Sequence, residues 1–209
     1  MNIKDVLKDH TALASLQEMQ LIKFDSENRN SSMMNSFYKS YIVPKMVSAY
    51  DKKNVMQVPK LLKLVINVGF GPDRKNDISY VFEKIKAISG QLPKLTKARK
   101  SVSNFKLREG DVIGCMVTLR GVRMYNFLEK LLFIHLARVQ NFTGLSQKSF
   151  DGHGNFSFGI QRHSVFIESK DYRPDFDFGM DITIQTSAKT NDEAYVLLNL
   201  LGFPFKSSV

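Results

Sequence analysis

The sequence predicts an α+β fold, a two-layer sandwich with a mainly antiparallel sheet, helices on one face and the opposite face left open. Two periodicities and one interruption predict it. Apolar residues alternate every second position in KLLKLVINVGFG, VIGCMVTLR and MDITIQTSA, the pattern of half-buried strands. They recur at helical spacing in 77–89, 124–139 and 191–201, which supplies helices to cover one sheet face. Between two strands, Lys94 to Gly110 interrupts both patterns. It holds six basic residues (Lys94, Lys97, Arg99, Lys100, Lys106, Arg108) against one acid, Glu109, and so carries half of the net charge of +10.

Taken in order, residues 1–33 read as an N-terminal extension, partly helical or flexible. Leu13, Leu16, Met19 and Ile22 fall near helical spacing, and the polar tract DSENRNSS follows. Four basic and five acidic side chains in the first 32 residues do not resemble an import peptide or a secretory signal. Residues 34–209 read as a single α+β domain. It opens with a helix over 35–50, bearing Phe37, Tyr38, Tyr41, Ile42 and Val47 and containing Pro44. The first strand turns Leu62, Leu64, Ile66 and Val68 inward and Lys63 and Asn67 outward, and ends at Gly69, Gly71 and Pro72. Ile78, Val81, Phe82, Ile85 and Ile88 make a helix stopped by Gly90.

The strand LPKLTKA leads into the basic loop 97–111, and VIGCMVTLR leaves it with Ile113, Cys115, Val117 and Leu119 inward and Thr118 and Arg120 outward. Met124, Phe127, Leu128, Leu131, Leu132, His135 and Val139 trace a helical stripe of about four turns. NFTGLSQKSFDGHGNFSFGI is a glycine-rich loop that returns into a strand. After the acidic stretch DYRPDFDFG, Ile182 and Ile184 face inward and Thr183 and Gln185 outward. A last helix over 191–201 is capped by Thr190 or Asn191 and stopped by Gly202.

Composition narrows the chemistry. A pI near 9.6 favours a polyanionic partner. No segment approaches the roughly 20 apolar residues of a spanning helix, and a basic loop is not the amphipathic helix of a membrane-surface protein. The lone Cys115, inside a strand pattern, excludes an intramolecular disulfide framework. His10, His135, His153 and His163 have no ligand spacing; His135 reads as a packed core residue, His153 and His163 as exposed loop positions. Asp171, Asp175, Asp177 and Asp181 are not spaced as a calcium loop and read as a solvated patch. The glycines complete neither a dinucleotide fingerprint nor a P-loop. No nucleophile and base pair up, so no enzyme, cofactor, metal or small-molecule substrate is expected.

What remains is phosphate chemistry. Phe105 among the loop cations could stack on a base or sugar. The open sheet face, with Lys63, Asn67, Thr118, Arg120, Thr183 and Gln185, is either a solvated surface or an RNA-binding face. A structural RNA-binding protein, a stand-alone RNA-binding regulatory module and an RNA-processing enzyme all remain open at this point, the last lacking a catalytic set.

Three separated stretches then carry a resemblance: SGQLPKLTKARKSVSNFKLREGDVIGCMVTLRG, GLSQKSFDGHGNFSFGI, and DITIQTSAKT with the terminal GFPF. With YIVPKMVSAYDKKNVMQVPKLLKLVINVGFG, the chain from Tyr41 to Phe205 resembles the large-subunit ribosomal protein five family of bacterial type. It departs from the family pattern at Asn104 and His153. The resemblance implies a structural constituent of the central protuberance that binds 5S ribosomal RNA. It implies 5S contacts at Asn67, Thr96, Lys97, Thr118, Arg120 and Arg123, and a loop reaching the peptidyl-site tRNA through Arg99, Lys100, Ser101, Phe105, Lys106 and Arg108. It further implies contacts with large-subunit rRNA, neighbouring large-subunit proteins and one small-subunit head protein. The composition of the basic loop, rich in Lys, Ser and Arg, adds the expectation that it is mobile until RNA orders it. The extension and the abundance of Phe, Asn and Lys place the expected protein in a mitochondrion, encoded there; a bacterial cytoplasm or a plastid is the alternative.

Overall fold

A computed structural model describes residues 32–71, 77–169 and 176–206. The helix expected within 5–24, and Asp171 and Asp175, lie outside them. The fold is α+β, a five-stranded antiparallel sheet with helices packed against it. Strands β1 (Leu61–Gly69), β2 (Lys94–Lys97), β3 (Val112–Leu119), β4 (Phe156–Ile160) and β5 (Met180–Thr186) run in the order β2-β3-β1-β5-β4. The described residues cluster into two compact units. One holds residues 64–119 and 158–183; the other holds those up to Lys63, 120–157 and 184 onward.

In the first unit, β1 and β3 pair antiparallel from Leu64 opposite Leu119 to Gly69 opposite Gly114. Leu64, Ile66, Val68, Cys115, Val117 and Leu119 are buried, each contributing on the order of 1.5–3 kcal/mol where fully enclosed. Helix α3 (Ile78–Ser89) lays Val81, Ile85 and Ile88 into this core and ends on Gly90 in the left-handed conformation, as its glycine stop predicts. Burial pushes the Cys115 thiol up to about 11, in keeping with an enclosed apolar residue. Strand β2 is shorter than LPKLTKA suggests, and its register against β3 shifts between Thr96 and Lys97. Alternation also fails at the entrance to β1. Leu61 is buried and Leu62 exposed, ahead of the stretch whose parity is set by pairing with β3.

In the second unit, the helix expected over 35–50 is divided. Helix α1 (Met33–Phe37) passes through a π-helical turn (Tyr38–Ile42) into α2 (Val43–Tyr50), with Pro44 in the first turn of α2. Pro44 has no N–H to give to the preceding turn, and the widened turn ahead of it accommodates that loss. Helix α4 (Gly121–Lys130) begins earlier than the Met124 stripe suggests and continues as a π turn and a 3-10 turn to Arg138. Met34, Phe37, Ile42, Met46, Met124, Leu128, Leu131 and His135 are all buried here, the histidine as expected. Helix α5 (Asn191–Leu200) starts on Thr190, whose side chain accepts from the Glu193 N–H. Its first residue, Asn191, holds the glycine loop, since Oδ1 accepts the N–H groups of Gly152 and Gly154 at 3.1 and 3.2 Å.

The two histidines expected in exposed loops come out differently. His153 is exposed as expected, but His163 is fully buried, with Nδ1 paired to Asp177. Sequence spacing could not show this, because the partner is supplied by the chain returning into β5.

Candidate nucleic-acid interface

Register decides what stands on the outer face of the first unit. Paired residues of neighbouring strands project to the same side. Asn67 pairs with Met116, which pairs with Lys94; Gly69 pairs with Gly114, which pairs with Thr96; Val65 pairs with Thr118. Three strands thus bring Asn67, Thr96 and Thr118 onto one face with Lys94 and Met116. Asn67 and Lys94 are exposed, Thr96, Thr118 and Met116 half-buried, and no carboxylate occupies these positions. In a regular strand Lys97 would turn away from Thr96. The ladder skips Ile113 and sets Lys97 opposite Val112; the extra residue lies in β3, so β2 keeps its own alternation and the pairing does not bring the exposed Lys97 beside Thr96.

The middle of this face is made of glycine. A methyl group on Gly114 would lie 2.5 Å from the Val68 carbonyl oxygen and 2.8 Å from Thr96 Oγ1, so no other residue fits there without displacing backbone. Gly69 beside it has open space above its Cα. Gly69 therefore leaves exposed backbone on this face, while Gly114 is buried and lets the Thr96 hydroxyl close over it. Thr118 has a fixed setting too, because Gln91 Nε2 donates to its carbonyl oxygen at 3.2 Å. The sequence reading passed over Gln91, Gly114 and Met116, and took Gly69 only as a strand end. Gly114 could have been found as a glycine inside a strand, a sign of close backbone approach.

The basic loop rises from the same two strands as a closed hairpin. Val102 and Leu107 exchange backbone hydrogen bonds at 3.0 and 3.1 Å, and Ala98 and Gly110 are tied back across its base. A short 3-10 turn (Ser103–Phe105) forms the tip and Lys106 takes the left-handed conformation at φ 50°. Ser101 is part of this frame: its Oγ accepts the Glu109 N–H at 2.9 Å, while Asp111 accepts the Arg108 N–H at 3.1 Å. Arg99, Lys100, Lys106 and Arg108 are exposed around Phe105, which is 65% exposed. Backbone closure therefore aims cations and one ring outward together.

Arg120 and Arg123 belong to the second unit, at the entrance and first turn of α4, and both are exposed. The strand register that groups Asn67, Thr96 and Thr118 does not extend to them. Among the described residues no group of three or more His, Cys, Asp or Glu side chains could hold a metal ion. No helix among them is long and apolar enough to cross a membrane.

Comparison with known proteins agrees with this picture. Residues 54–108 match the family described as "Ribosomal protein L5", and residues 112–205 match the C-terminal part of the same ribosomal family. The large ribosomal subunit protein uL5 of Halothermothrix orenii is 48% identical over 176 residues, 83% of this chain and 98% of the relative. That of Acholeplasma laidlawii is 47% identical over 178 residues, 84% of this chain and 99% of the relative, and that of Thermotoga maritima 50% over 171, 81% and 93%. At this identity over four fifths of its length, the chain belongs to the ribosomal protein uL5 family, with a structural, non-enzymatic role in the large ribosomal subunit.

Proposed function

We propose that the chain anchors 5S ribosomal RNA through the outer face of β1, β2 and β3 and presents loop 97–111 to the tRNA in the peptidyl site. The observation that carries the reading is the row structure of that face. Asn67, Thr96 and Thr118 stand on three adjacent strands beside the Gly69–Gly114 pair, with Lys94 on the same face. Folded RNA offers phosphates, 2′-hydroxyls and base edges, and this face answers with an amide, hydroxyls and lysines. The missing side chain at the exposed Gly69 lets an RNA strand approach the backbone closely. The loop supplies charge without a neighbouring excess of acids, and Phe105 supplies a stacking surface at its tip.

Arg120 and Arg123 extend the 5S contact on the strength of the resemblance alone, as do contacts with large-subunit rRNA, neighbouring large-subunit proteins and a small-subunit head protein. A bacterial-type ribosome is the setting that the relatives support, all those named above being bacterial. The mitochondrial placement drawn from the extension and composition finds no support among them.

The test is binding of the purified chain to 5S ribosomal RNA and to a scrambled RNA of equal length at two salt concentrations, beside an Asn67→Ala/Thr118→Ala variant. A preference of well over about tenfold, roughly 1.4 kcal/mol, at the higher salt, lost in the variant, is expected. Equal binding of both RNAs that collapses with salt would instead mean nonspecific charge attraction.

A further inference from the structure

Outside the sheet face and the loop, the most exposed large apolar side chain among the described residues is Met56, at 87%, next to Val55 at 58%. An exposed methionine on a free end needs no explanation, but this one is held in place. Residues Val55–Gln57 form a 3-10 turn whose preceding residue, Asn54, accepts the Met56 N–H on its side-chain oxygen at 3.0 Å. The turn closes through Gln57 N–H to the Asn54 carbonyl and Val58 N–H to the Val55 carbonyl, at 3.0 and 3.1 Å. Immediately after it the chain is anchored. Val58 is buried, the Tyr38 hydroxyl donates to the Pro59 carbonyl at 2.9 Å, and Lys60 and Ser187 exchange two hydrogen bonds of 2.9 Å. Local hydrogen bonding thus fixes two apolar side chains in an outward position, where burial inside the unit would have been the favourable use of them.

The surroundings indicate what covers them. Lys53, Asn54, Gln57 and Lys60 flank the pair and are all exposed, while the nearest cation before them, Lys52, is already paired with Glu193 at 2.6 Å. A protein-binding hot spot draws its energy from aromatic and arginine anchors, and the centres of such patches are poor in lysine. Lysines and side-chain amides around a small apolar wedge suit RNA instead. The cations meet phosphates, the amides meet base edges or riboses, and the thioether lies against an exposed base face. We infer that the Val55–Met56 knob is a second RNA-docking point, in which Met56 seats against an unstacked base or ribose of ribosomal RNA while Lys53 and Lys60 hold the flanking phosphates. This rests on the chain's place in the large subunit and not on the 5S face, so either can fail alone.

The experiment uses the full chain carrying a benzophenone amino acid at position 56, assembled into large subunits and irradiated. The expected product is an adduct with ribosomal RNA. An adduct with another protein alone, with residues 1–31 of the chain itself, or no adduct at all overturns the inference. In parallel, Met56→Glu and Lys53→Ala/Lys60→Ala should each lower retention on large subunits through a high-salt wash, the first by about tenfold or more. Their unfolding midpoints should match the parent, since all three side chains are exposed. Unchanged retention in both variants would also overturn it.

Discussion

The Nδ1 atom of His163 lies 2.5 Å from Oδ1 of Asp177, with the imidazole fully buried. The same carboxylate oxygen accepts the backbone N–H groups of His163 and Phe178 at 3.1 and 3.0 Å. The ring stacks on Phe178 with centroids 4.2 Å apart and planes 9° apart, and Nε2 stands 3.3 Å from the Tyr80 hydroxyl. One carboxylate therefore joins the chain just after β4 to the chain just before β5, and the imidazole reaches Tyr80 of α3. Asp177→Ala strips three hydrogen bonds from buried donors and should lower stability by about 3 kcal/mol. Urea unfolding reads this directly, and a loss under about 0.5 kcal/mol would show the staple to be dispensable.

Gly114 is the second sensitive point, for a steric reason. Its missing Cβ would fall 2.5 Å from backbone, which cannot yield as a flexible side chain can. Gly114→Ala should cost about 1–3 kcal/mol through displacement of β1 from β3. It should also weaken 5S RNA binding more than the loss of stability alone explains, because the added methyl displaces Thr96. Gly69→Ala, with open space at the same site, is the comparison; equal effects from the two would contradict the argument.

Alkaline pH gives a third prediction. Burial raises the Cys115 thiol from its ordinary 9.0 to about 11, and burial first, then Tyr38 nearby, raises the Tyr125 hydroxyl from 10.0 to about 12. The unfolded chain ionises both groups sooner, so their neutral forms favour the folded state fully below pH 9. That advantage drains away as pH climbs through 11 and 12. Stability should fall steadily above pH 9. At about pH 8 a thiol reagent should label the native chain at least about a hundredfold more slowly than the urea-unfolded chain; comparable rates would mean that Cys115 is reachable.

Ser101 separates a framing role from a contact role. With its Oγ accepting the Glu109 N–H, Ser101→Ala should open the loop locally by about 1 kcal/mol and speed hydrogen exchange at that amide severalfold. Phe105→Ala should leave exchange unchanged and weaken RNA contact at the tip. If Ser101→Ala changed RNA contact with no change in exchange, Ser101 would be a contact residue instead.

Much of the fold was legible because it depends on local periodicity. Ile66 and Val68 alternating with Asn67 point to a strand with one wet face, and the Val81, Ile85 and Ile88 stripe before Gly90 points to a helix and its stop. Both hold, since burying one face of a regular element fixes the element itself. Failures came where the outcome depends on residues far away in sequence. Pro44 signals trouble in its helix but not the π turn that absorbs it. Leu61 and Leu62 exchange places because parity is imposed by a partner strand, and it takes hold only from Leu64 onward.

The same division runs through the candidate site. From the sequence alone came the charge, the loop between two strands, the candidate residues Asn67, Thr96 and Thr118, and a family resemblance carried by separated motifs in order. Those are properties of composition, spacing and identity, which need no coordinates. Only the tertiary structure decided that Lys94 and Met116 share a face with Asn67, since the register pairs the three strands there. Only it showed that Gly69 and Gly114 pair across β1 and β3, that the Ser101 hydroxyl accepts the Glu109 N–H of its own loop, and that Arg120 and Arg123 belong to another unit. It alone buried His163 against Asp177 and left Met56 standing in the open. The physical reason is common to all of them: register, close approach and burial are set by pairs of residues that the chain brings together, and a linear pattern holds only one member of each pair at a time.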